Sequence, residues 1–281
     1  MKTILIPTDF SDNAGDALDY ALHVFAESAC RIHIVNVVDV TVVPSEIPVS
    51  NVDIIGPRIE DARNSMEALK EYGKIYADTK AKSPLEITTE VAIGTISHSI
   101  KDAAKEVEAD VIIMGTQGTE HNMVEKVVGT VSTAVLSSAP CPVILIPKDY
   151  KFKAIDNMIY ATNLDSGDPY ELWRATQVIK PHTGQIRCVY VAKDIAKLDT
   201  KKLQDFAKYF VEHSPSLQTI FNVEEGKSIE ATLADYADTY DAQLIIMHRS
   251  KKTFLDRLFS PRHTQKMASW ITVPLLVMDQ E

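Results

Sequence analysis

The sequence predicts an α/β protein of two tandem doubly wound, Rossmann-like domains, each a five-stranded, mainly parallel sheet with helices on both faces. One layout of strand, loop, helix and strand occurs twice, over residues 110–147 and again over 243–278. Short apolar runs also alternate with segments of helical periodicity in both halves, as in β-α-β units. The 281 residues suffice for two domains. We assign them to 1–147 and 153–281, joined by a short polar connection.

The first half begins with an apolar run bounded by turn residues, which is typical of a strand buried on both faces. Five such runs predict strands at 2–7, 31–38, 85–93, 111–114 and 143–146. Apolar residues at helical spacing predict helices that start near Ser11 or Asp12 and cover 59–80, 97–107 and 130–138. The stretch 39–58 contains three prolines and is predicted to be a surface loop, a candidate lid over the strand ends.

The second half repeats this plan, with strands predicted at 158–161, 185–191, 217–223, 244–247 and 273–278. Asp168 followed by Pro169 predicts a helix start with the aspartate as its capping residue. Thr162, Asn163 and Gly226 match Thr8, Asp9 and Gly94 of the first half. The halves are therefore interpreted as diverged duplicates.

Composition and charge exclude several classes of function. The net charge is −10, and all of it lies in 1–147, where 11 basic residues oppose 21 acidic ones. An acidic surface disfavours nucleic-acid binding, and no apolar run is long enough to cross a bilayer. The three cysteines form no CxxC pair and are expected to be buried thiols. We expect a cytoplasmic protein with no nucleic-acid or membrane partner.

The candidate site lies where the two copies differ. Gly115, Gly118 and Gly129 of the first copy correspond to His248, Lys251 and Pro261 of the second. Glycines at a strand end and a helix start let backbone N–H groups converge on an anion, and the hydroxyls of Thr130 and Ser132 add donors. Asp9 ends the first strand beside the same crevice and can accept hydrogen bonds from a nucleoside. The alternative is that the glycines are only turns.

The motifs PTDFS, VIIMGT and PCPVILIP, with a spaced trio of glycines, resemble the universal stress protein family over nearly the whole chain. The resemblance implies a tandem member that binds ATP, with any Mg²⁺ carried in with the phosphates. Ten residues separate Gly118 from Gly129, one more than is usual in the family. The resemblance also implies an intramolecular pseudo-dimer of the two domains. The implied ATP contacts are Pro7, Thr8, Asp9, Val37, Met114, Gly115, Gln117, Gly118, Gly129, Thr130, Val131 and Ser132.

Three functions remain open at this point. The first is a cytoplasmic ATP-binding stress-response or signalling protein, with nucleotide in the first domain only. The second is a slow ATPase or nucleotide-dependent hydrolase, and the third is a nucleotide-free interaction scaffold. No metal-ligand cluster, catalytic triad or acid–base pair is recognisable, so we expect at most weak hydrolysis.

A basic segment follows the predicted fourth strand of the second half. Residues 248–266 contain six Lys or Arg and one acidic residue, Asp256. Local positive potential of this kind attracts anions or the acidic half of another chain, which would give a homo-oligomer. The alternative is a solvated basic surface.

Overall fold

The computed structural model describes residues 1–39, 51–116, 129–179, 184–213, 218–248 and 272–279. These residues form two compact units. Unit 1 consists of the described residues up to Phe152, and unit 2 begins at Lys153.

Unit 1 is a parallel sheet in the strand order β3-β2-β1-β4-β5. Right-handed crossovers place α1 and α2 on one face of the sheet and α3 and α4 on the other. The strands are β1 (Lys2–Thr8), β2 (Cys30–Asp39), β3 (Leu85–Gly94), β4 (Val111–Gly115) and β5 (Val143–Ile146). The helices are α1 (Asp12–Phe25), α2 (Asn51–Lys80), α3 (Ile96–Glu106) and α4 (Thr130–Ser138).

Unit 2 has the same parallel arrangement, in the order β8-β7-β6-β9-β10. Its strands are β6 (Asn157–Ala161), β7 (Gln185–Ala192), β8 (Gln218–Glu225), β9 (Leu244–His248) and β10 (Leu275–Met278). Its helices are α5 (Asp168–Val178), α6 (Thr200–His213) and α7 (Ile229–Thr239), with a short 3-10 helix at Ile195–Lys197. The predicted fold class is confirmed, because both units are doubly wound and share one strand order.

The core of each sheet is the set of apolar runs that the sequence identifies. Ile4, Leu5 and Ile6 of β1 are completely buried, and so are Ile112 and Ile113 of β4. Burial on both faces is the expected state of central parallel strands, because helices cover each side. The carboxyl ends of β1 and β4, neighbours in the sheet, are thereby fixed side by side.

The predicted loop at 39–58 is wrong in its second part, because α2 begins at Asn51 and includes Pro57. Residues 40–50 lie outside the described residues. Pro57 lies in the second turn of α2 and is exposed, and as a proline it donates no hydrogen bond to the preceding turn. Arg58 Nη1 donates to the Asp39 carbonyl at 3.1 Å and ties the early part of α2 to the end of β2.

The predicted capping role of Asp168 is also wrong, although α5 does begin there. Gly167 is the N-cap, and the Asp168 carboxylate, only 3% exposed, turns back toward the end of β6. It accepts hydrogen bonds from the Tyr160 hydroxyl at 2.9 Å and from the Thr162 hydroxyl. These two buried hydroxyl groups require a hydrogen-bond acceptor, and the Asp168 carboxylate accepts from them instead of capping α5.

The cysteines and the helix lengths bear on two further expectations. Cys30, Cys141 and Cys188 are buried free thiols, as predicted. Among the described residues, no helix combines the length and apolar character needed to span a bilayer.

Candidate functional site

The predicted site residues that the structure describes lie at one edge of the unit 1 sheet. Pro7, Thr8 and Asp9 end β1, and Met114 and Gly115 end the adjacent β4. Val37 lies near the end of β2, and Gly129 to Ser132 form the start of α4. Gln117 and Gly118 lie outside the described residues.

Asp9 is exposed and is oriented by the helix that follows it. Its Oδ1 accepts hydrogen bonds from the Ser11 N–H at 3.1 Å and the Ser11 hydroxyl at 2.6 Å. Ser11 is also the N-cap of α1 and accepts from the Ala14 N–H. The Asp9 carboxylate is therefore fixed at the carboxyl edge of the sheet, within reach of solvent.

Two asparagines that the sequence did not single out hold the edge together. Asn36 Nδ2 donates to the Thr8 carbonyl at 2.8 Å and joins the ends of β1 and β2. Asn13 Nδ2 donates to the Ile146 carbonyl at 3.1 Å, and Asn13 is 3% exposed. A side-chain amide satisfies a buried carbonyl without introducing charge. They position the site rather than present themselves to a ligand.

Gly115 is required by the packing of unit 1 itself. A Cβ at this position would lie 2.6 Å from Asn13 Oδ1 and 2.9 Å from the Asn13 carbonyl oxygen. The Gly115 carbonyl in turn accepts from the Ser132 hydroxyl at 3.0 Å. The absence of a side chain at 115 is thus explained without a ligand.

Gly129 is different, because nothing in the described residues requires a glycine there. Its φ of −63° suits any residue. A Cβ would meet only ordinary contacts, the closest at 3.6 Å from the Thr116 carbonyl oxygen. No side chain caps the start of α4 in the part of the chain that is described. As far as the described residues go, the start of α4 has backbone N–H donors without a side-chain acceptor, and these are suited to an anion.

The two hydroxyls predicted beside Gly129 have different environments. Thr130 is exposed at the start of α4. Ser132 is 4% exposed and donates its hydroxyl hydrogen to Gly115. Only Thr130 therefore has a hydroxyl that faces solvent at the helix start. Pro7 and Met114 are buried beneath the crevice, Val37 is half-buried, and Val131 is half-buried on α4.

Unit 2 has charged side chains at the equivalent edge. His248 pairs with Met278 in the sheet, as Gly115 pairs with Ile146 in unit 1. Arg174 of α5 contacts Glu171 Oε2 at 3.0 Å and Asp279 Oδ1 at 2.8 Å, and all three side chains are 13–14% exposed. His248 Nε2 lies 3.8 Å from Glu171 Oε1. Side chains occupy the place where unit 1 has a glycine.

The sequence carried weak signals of the residues that were missed. Asn36 interrupts the apolar run of residues 34–38, which indicates a buried hydrogen-bonding role, whereas Asn13 follows Asp12 at a helix start and carries no such signal. Asp168 gave the opposite signal, because an aspartate before a proline usually caps a helix. Within the described residues, no group of three or more His, Cys, Asp or Glu side chains is placed to hold a metal ion.

Comparison with known proteins gives consistent matches to one family. The model of the universal stress protein family matches residues 1–147. Universal stress protein MJ0531 of Methanocaldococcus jannaschii is 29% identical over 150 residues, covering 53% of this chain and 84% of that protein. Universal stress protein YxiE of Bacillus subtilis is 30% identical over 146 residues, covering 51% of this chain and 97% of that protein.

A solved structure extends the likeness to both units. The crystal structure of a universal stress protein from Archaeoglobus fulgidus has a TM-score of 0.73 and 18% identity, and the match covers 99% of this chain and 96% of that one. At this identity the likeness concerns the fold alone. A universal stress protein solved in complex with cAMP is 19% identical over 52% of this chain, with a TM-score of 0.36.

Proposed function

Because the chain belongs to the universal stress protein family, we propose that it is a cytoplasmic nucleotide-binding protein of stress response or signalling, with ATP bound in unit 1 only. The observation that carries this proposal is the start of α4. Gly129 heads a helix with no described side-chain cap and no contact that would exclude a Cβ. A ligand phosphate is a group that would accept hydrogen bonds from the N–H donors of this helix start.

The remaining groups of this edge fit the other parts of a nucleotide. The fixed Asp9 carboxylate accepts hydrogen bonds from a ribose or an adenine amino group. Half-buried Val37 near the end of β2 provides apolar surface against which a base can pack, whereas Pro7 and Met114 are buried. Mg²⁺ would be held chiefly by the phosphates, because the described residues offer no ligand cluster for it.

Unit 2 is proposed to bind no nucleotide in this pose. His248 occupies the strand end where unit 1 has Gly115, and Pro261 stands in the sequence where unit 1 has Gly129. At the same edge the Glu171 and Asp279 carboxylates are both paired with Arg174, so that guanidinium is already engaged by carboxylates. We further propose that the two units associate as an intramolecular pseudo-dimer.

The test is calorimetric titration of the purified chain with ATP, ADP and cAMP, beside mass spectrometry of nucleotide released on denaturation. We expect one ATP site per chain. Gly129→Val should lower ATP affinity at least about 30-fold, since a branched side chain enters the phosphate space. The matched control is Gly56→Val, because Gly56 lies on α2 and a Cβ there meets nothing within 4 Å.

The outcomes separate the three functions. Intact ATP recovered from the protein supports binding without turnover, whereas ADP that accumulates with time supports hydrolysis. Two ATP sites per chain, or equal affinity in Gly129→Val and wild type, would contradict the proposed site. Absence of any bound or titratable nucleotide would favour the scaffold.

A further inference from the structure

Unit 1 contains a second concave site, which shares Thr8 with the proposed nucleotide site but none of the groups proposed to bind phosphate. A cleft of about 710 Å³ lies between α1 and α2. The completely buried Ile6 of β1 lies beneath it, and its accessible apolar groups are those of Phe10, Ala68 and Leu69. Small-molecule sites commonly have volumes of about 300–1,000 Å³. The size of the cleft lies within this range.

The rim of the cleft is strongly acidic. Three aspartates on α1 line it, Asp12, Asp16 and Asp19, and Asp149 adds a fourth carboxylate. Lys151 is the one basic residue in this lining, and its Nζ lies 3.4 Å from Asp16 Oδ1. The lining therefore has a formal excess of three negative charges. A concave site lined by one sign of charge concentrates ligands of the opposite sign.

Two of the carboxylates are held in fixed positions. Asp16 Oδ2 accepts a hydrogen bond from the Asp149 N–H at 3.0 Å. Asp19 Oδ1 accepts from the Tyr72 hydroxyl of α2 at 2.7 Å. This hydrogen bond, with burial, raises the pKa of Tyr72 to about 12, so the phenol remains a donor near neutral pH. The rim is therefore preorganised, which reduces the entropy lost when a ligand binds.

The equivalent place in unit 2 is filled. Ile6 pairs with Ile34 in unit 1, and Tyr160 pairs with Cys188 at the same register in unit 2. The Tyr160 hydroxyl donates to buried Asp168, and the Phe210 ring of α6 lies 5.9 Å from the Tyr160 ring. Tyr160 and Phe210 are completely buried. One scaffold thus exists with this region filled, so the fold does not require the cleft of unit 1.

The cleft and the nucleotide site lie on different faces of the sheet. The cleft is on the side of α1 and α2, whereas Gly129 and Thr130 start α4 on the other side. Neither Gly129 nor Thr130 lines the cleft, although Thr8 lies at the edge common to both. Binding of a ligand in the cleft can therefore be measured in a variant whose phosphate-binding groups are altered.

We propose that the α1–α2 cleft of unit 1 binds a small organic cation with an apolar body, such as a protonated aromatic or alkyl amine. The apolar body packs on the accessible apolar groups of Phe10, Ala68 and Leu69, and the ammonium group lies among the α1 carboxylates. Charge complementarity with the rim sets the sign of the ligand, and the accessible apolar groups favour a ligand with an apolar body over a purely polar ion.

The test uses three probes that share one skeleton, namely naphthylethylammonium, naphthylethanol and naphthylacetate. Calorimetric titration should show that the cation binds at least about tenfold more tightly than the alcohol and that the anion does not bind. Asp12→Asn combined with Asp19→Asn should weaken the cation about tenfold and leave the alcohol unchanged. Asp61→Asn combined with Asp78→Asn is the control, since these exposed α2 residues do not line the cleft.

A steric variant tests the place of binding. Ala68 is exposed on α2 and lines the cleft, so Ala68→Trp should abolish binding of both the cation and the alcohol while the circular dichroism spectrum stays native. Gly129→Val should bind the cation like the wild type, which separates this proposal from the proposed nucleotide function. Equal affinity for the cation and the anion, or no effect of the aspartate pair, would overturn the proposal.

A different occupant would also be detected. If the molar mass in sedimentation rises with protein concentration and the Asp12→Asn, Asp19→Asn pair prevents this, the cleft receives the basic segment 249–266 of a second copy. That result would overturn the small-cation proposal. A wild-type mass that does not change with concentration, together with cation binding, supports it.

Discussion

After the first strand of each unit the chain makes the same turn. Thr8 Oγ1 accepts from the Phe10 N–H at 3.0 Å, and Thr162 Oγ1 accepts from the Leu164 N–H at 2.8 Å. Phe10 has a φ of 63° and Leu164 a φ of 66°, although neither is glycine. The backbone of the duplicated scaffold is therefore conserved even where it is strained.

The side chains that surround this turn differ completely between the units. Unit 1 has Ile6 and Ala14 beside an open cleft, whereas unit 2 has Tyr160 and Asp168 in a hydrogen-bonded cluster. Gly115 of unit 1 is likewise exchanged for His248 of unit 2. Backbone N–H groups bonded to the Thr8 and Thr162 hydroxyl oxygens keep the same turn in both units, while the carboxyl edge is free to acquire or lose a site.

The largest expected effect is in the filled region of unit 2. Asp168→Ala leaves the buried hydroxyls of Tyr160 and Thr162 without their acceptor and should lower the free energy of unfolding of unit 2 by about 2–4 kcal/mol. Urea denaturation followed by tryptophan fluorescence measures this, because Trp173 and Trp270 both belong to the second half. The conservative Asp168→Asn keeps an acceptor and should cost less. A loss under about 0.5 kcal/mol in Asp168→Ala would show that the cluster is not structural.

The next effect distinguishes the two glycines of unit 1. Gly115→Ala places a Cβ against the side chain and carbonyl of Asn13 and should lower the free energy of unfolding by about 2 kcal/mol. Gly129→Ala meets only van der Waals contacts and should cost less than about 1 kcal/mol. Denaturation followed by circular dichroism compares them. Equal costs at both positions would mean that Asn13 moves aside, and the account of Gly115 would be wrong.

The sequence predicts the positions of the strands better than it predicts their ends. The strands were predicted because their apolar runs are buried on both faces, and β5 and α4 have the predicted bounds. Most other strands extend further because polar residues join the ladder, as in the Asp39 and Gly94 pair. The strand predicted at 273–278 is shorter, because β10 begins only at Leu275, after Pro274. A pattern of hydrophobicity contains no information about such backbone pairing.

The sequence predicts where the candidate site lies, but it does not show why particular residues occur there. Glycines at strand and helix ends mark the carboxyl edge, but the reason for Gly115 is Asn13, which lies in a different element of the fold. The hydrogen bond between Thr116 and Asn13 joins residues 103 positions apart. Contacts of this range depend on tertiary packing, and local propensity does not indicate them. The same holds for Asp168, whose local signal favoured a helix cap.

A smaller effect follows from the burial of Asp168. Burial raises the pKa of this carboxyl above its usual value, and the hydrogen bonds from Thr162 and Tyr160 oppose the rise without cancelling it. The folded unit then holds a proton more tightly than the unfolded chain. Its contribution to stability is fully present below the unfolded pKa and is lost as pH rises through the folded pKa.

Urea denaturation of unit 2 across the acidic range measures this contribution as the difference between wild type and Asp168→Asn. The wild type should lose stability relative to the variant as pH rises, by at most about 1.4 kcal/mol per pH unit, the limit for one proton. Unit 1 has Ala14 at the equivalent position and should show no change between the two proteins. A difference of the opposite sign would mean that the hydrogen bonds lower the pKa of Asp168 in the folded state.

The smallest expected effect concerns the shared turn itself. Phe10 and Leu164 occupy the left-handed region, which costs most residues about 1 kcal/mol, whereas asparagine tolerates it. Phe10→Asn and Leu164→Asn should therefore each raise the free energy of unfolding of their own unit by up to about 1 kcal/mol, less what is lost in side-chain packing. Thermal denaturation of the two single variants measures both. Gly129→Ala in unit 1 and Asp168→Asn in unit 2, measured in the same experiment, show how small a change in the free energy of unfolding is detectable in each unit. Because the turn is the same in both units, the two increases in unfolding free energy should agree within about 0.5 kcal/mol. An increase in one unit alone would show that the two turns differ in strain although their φ values match.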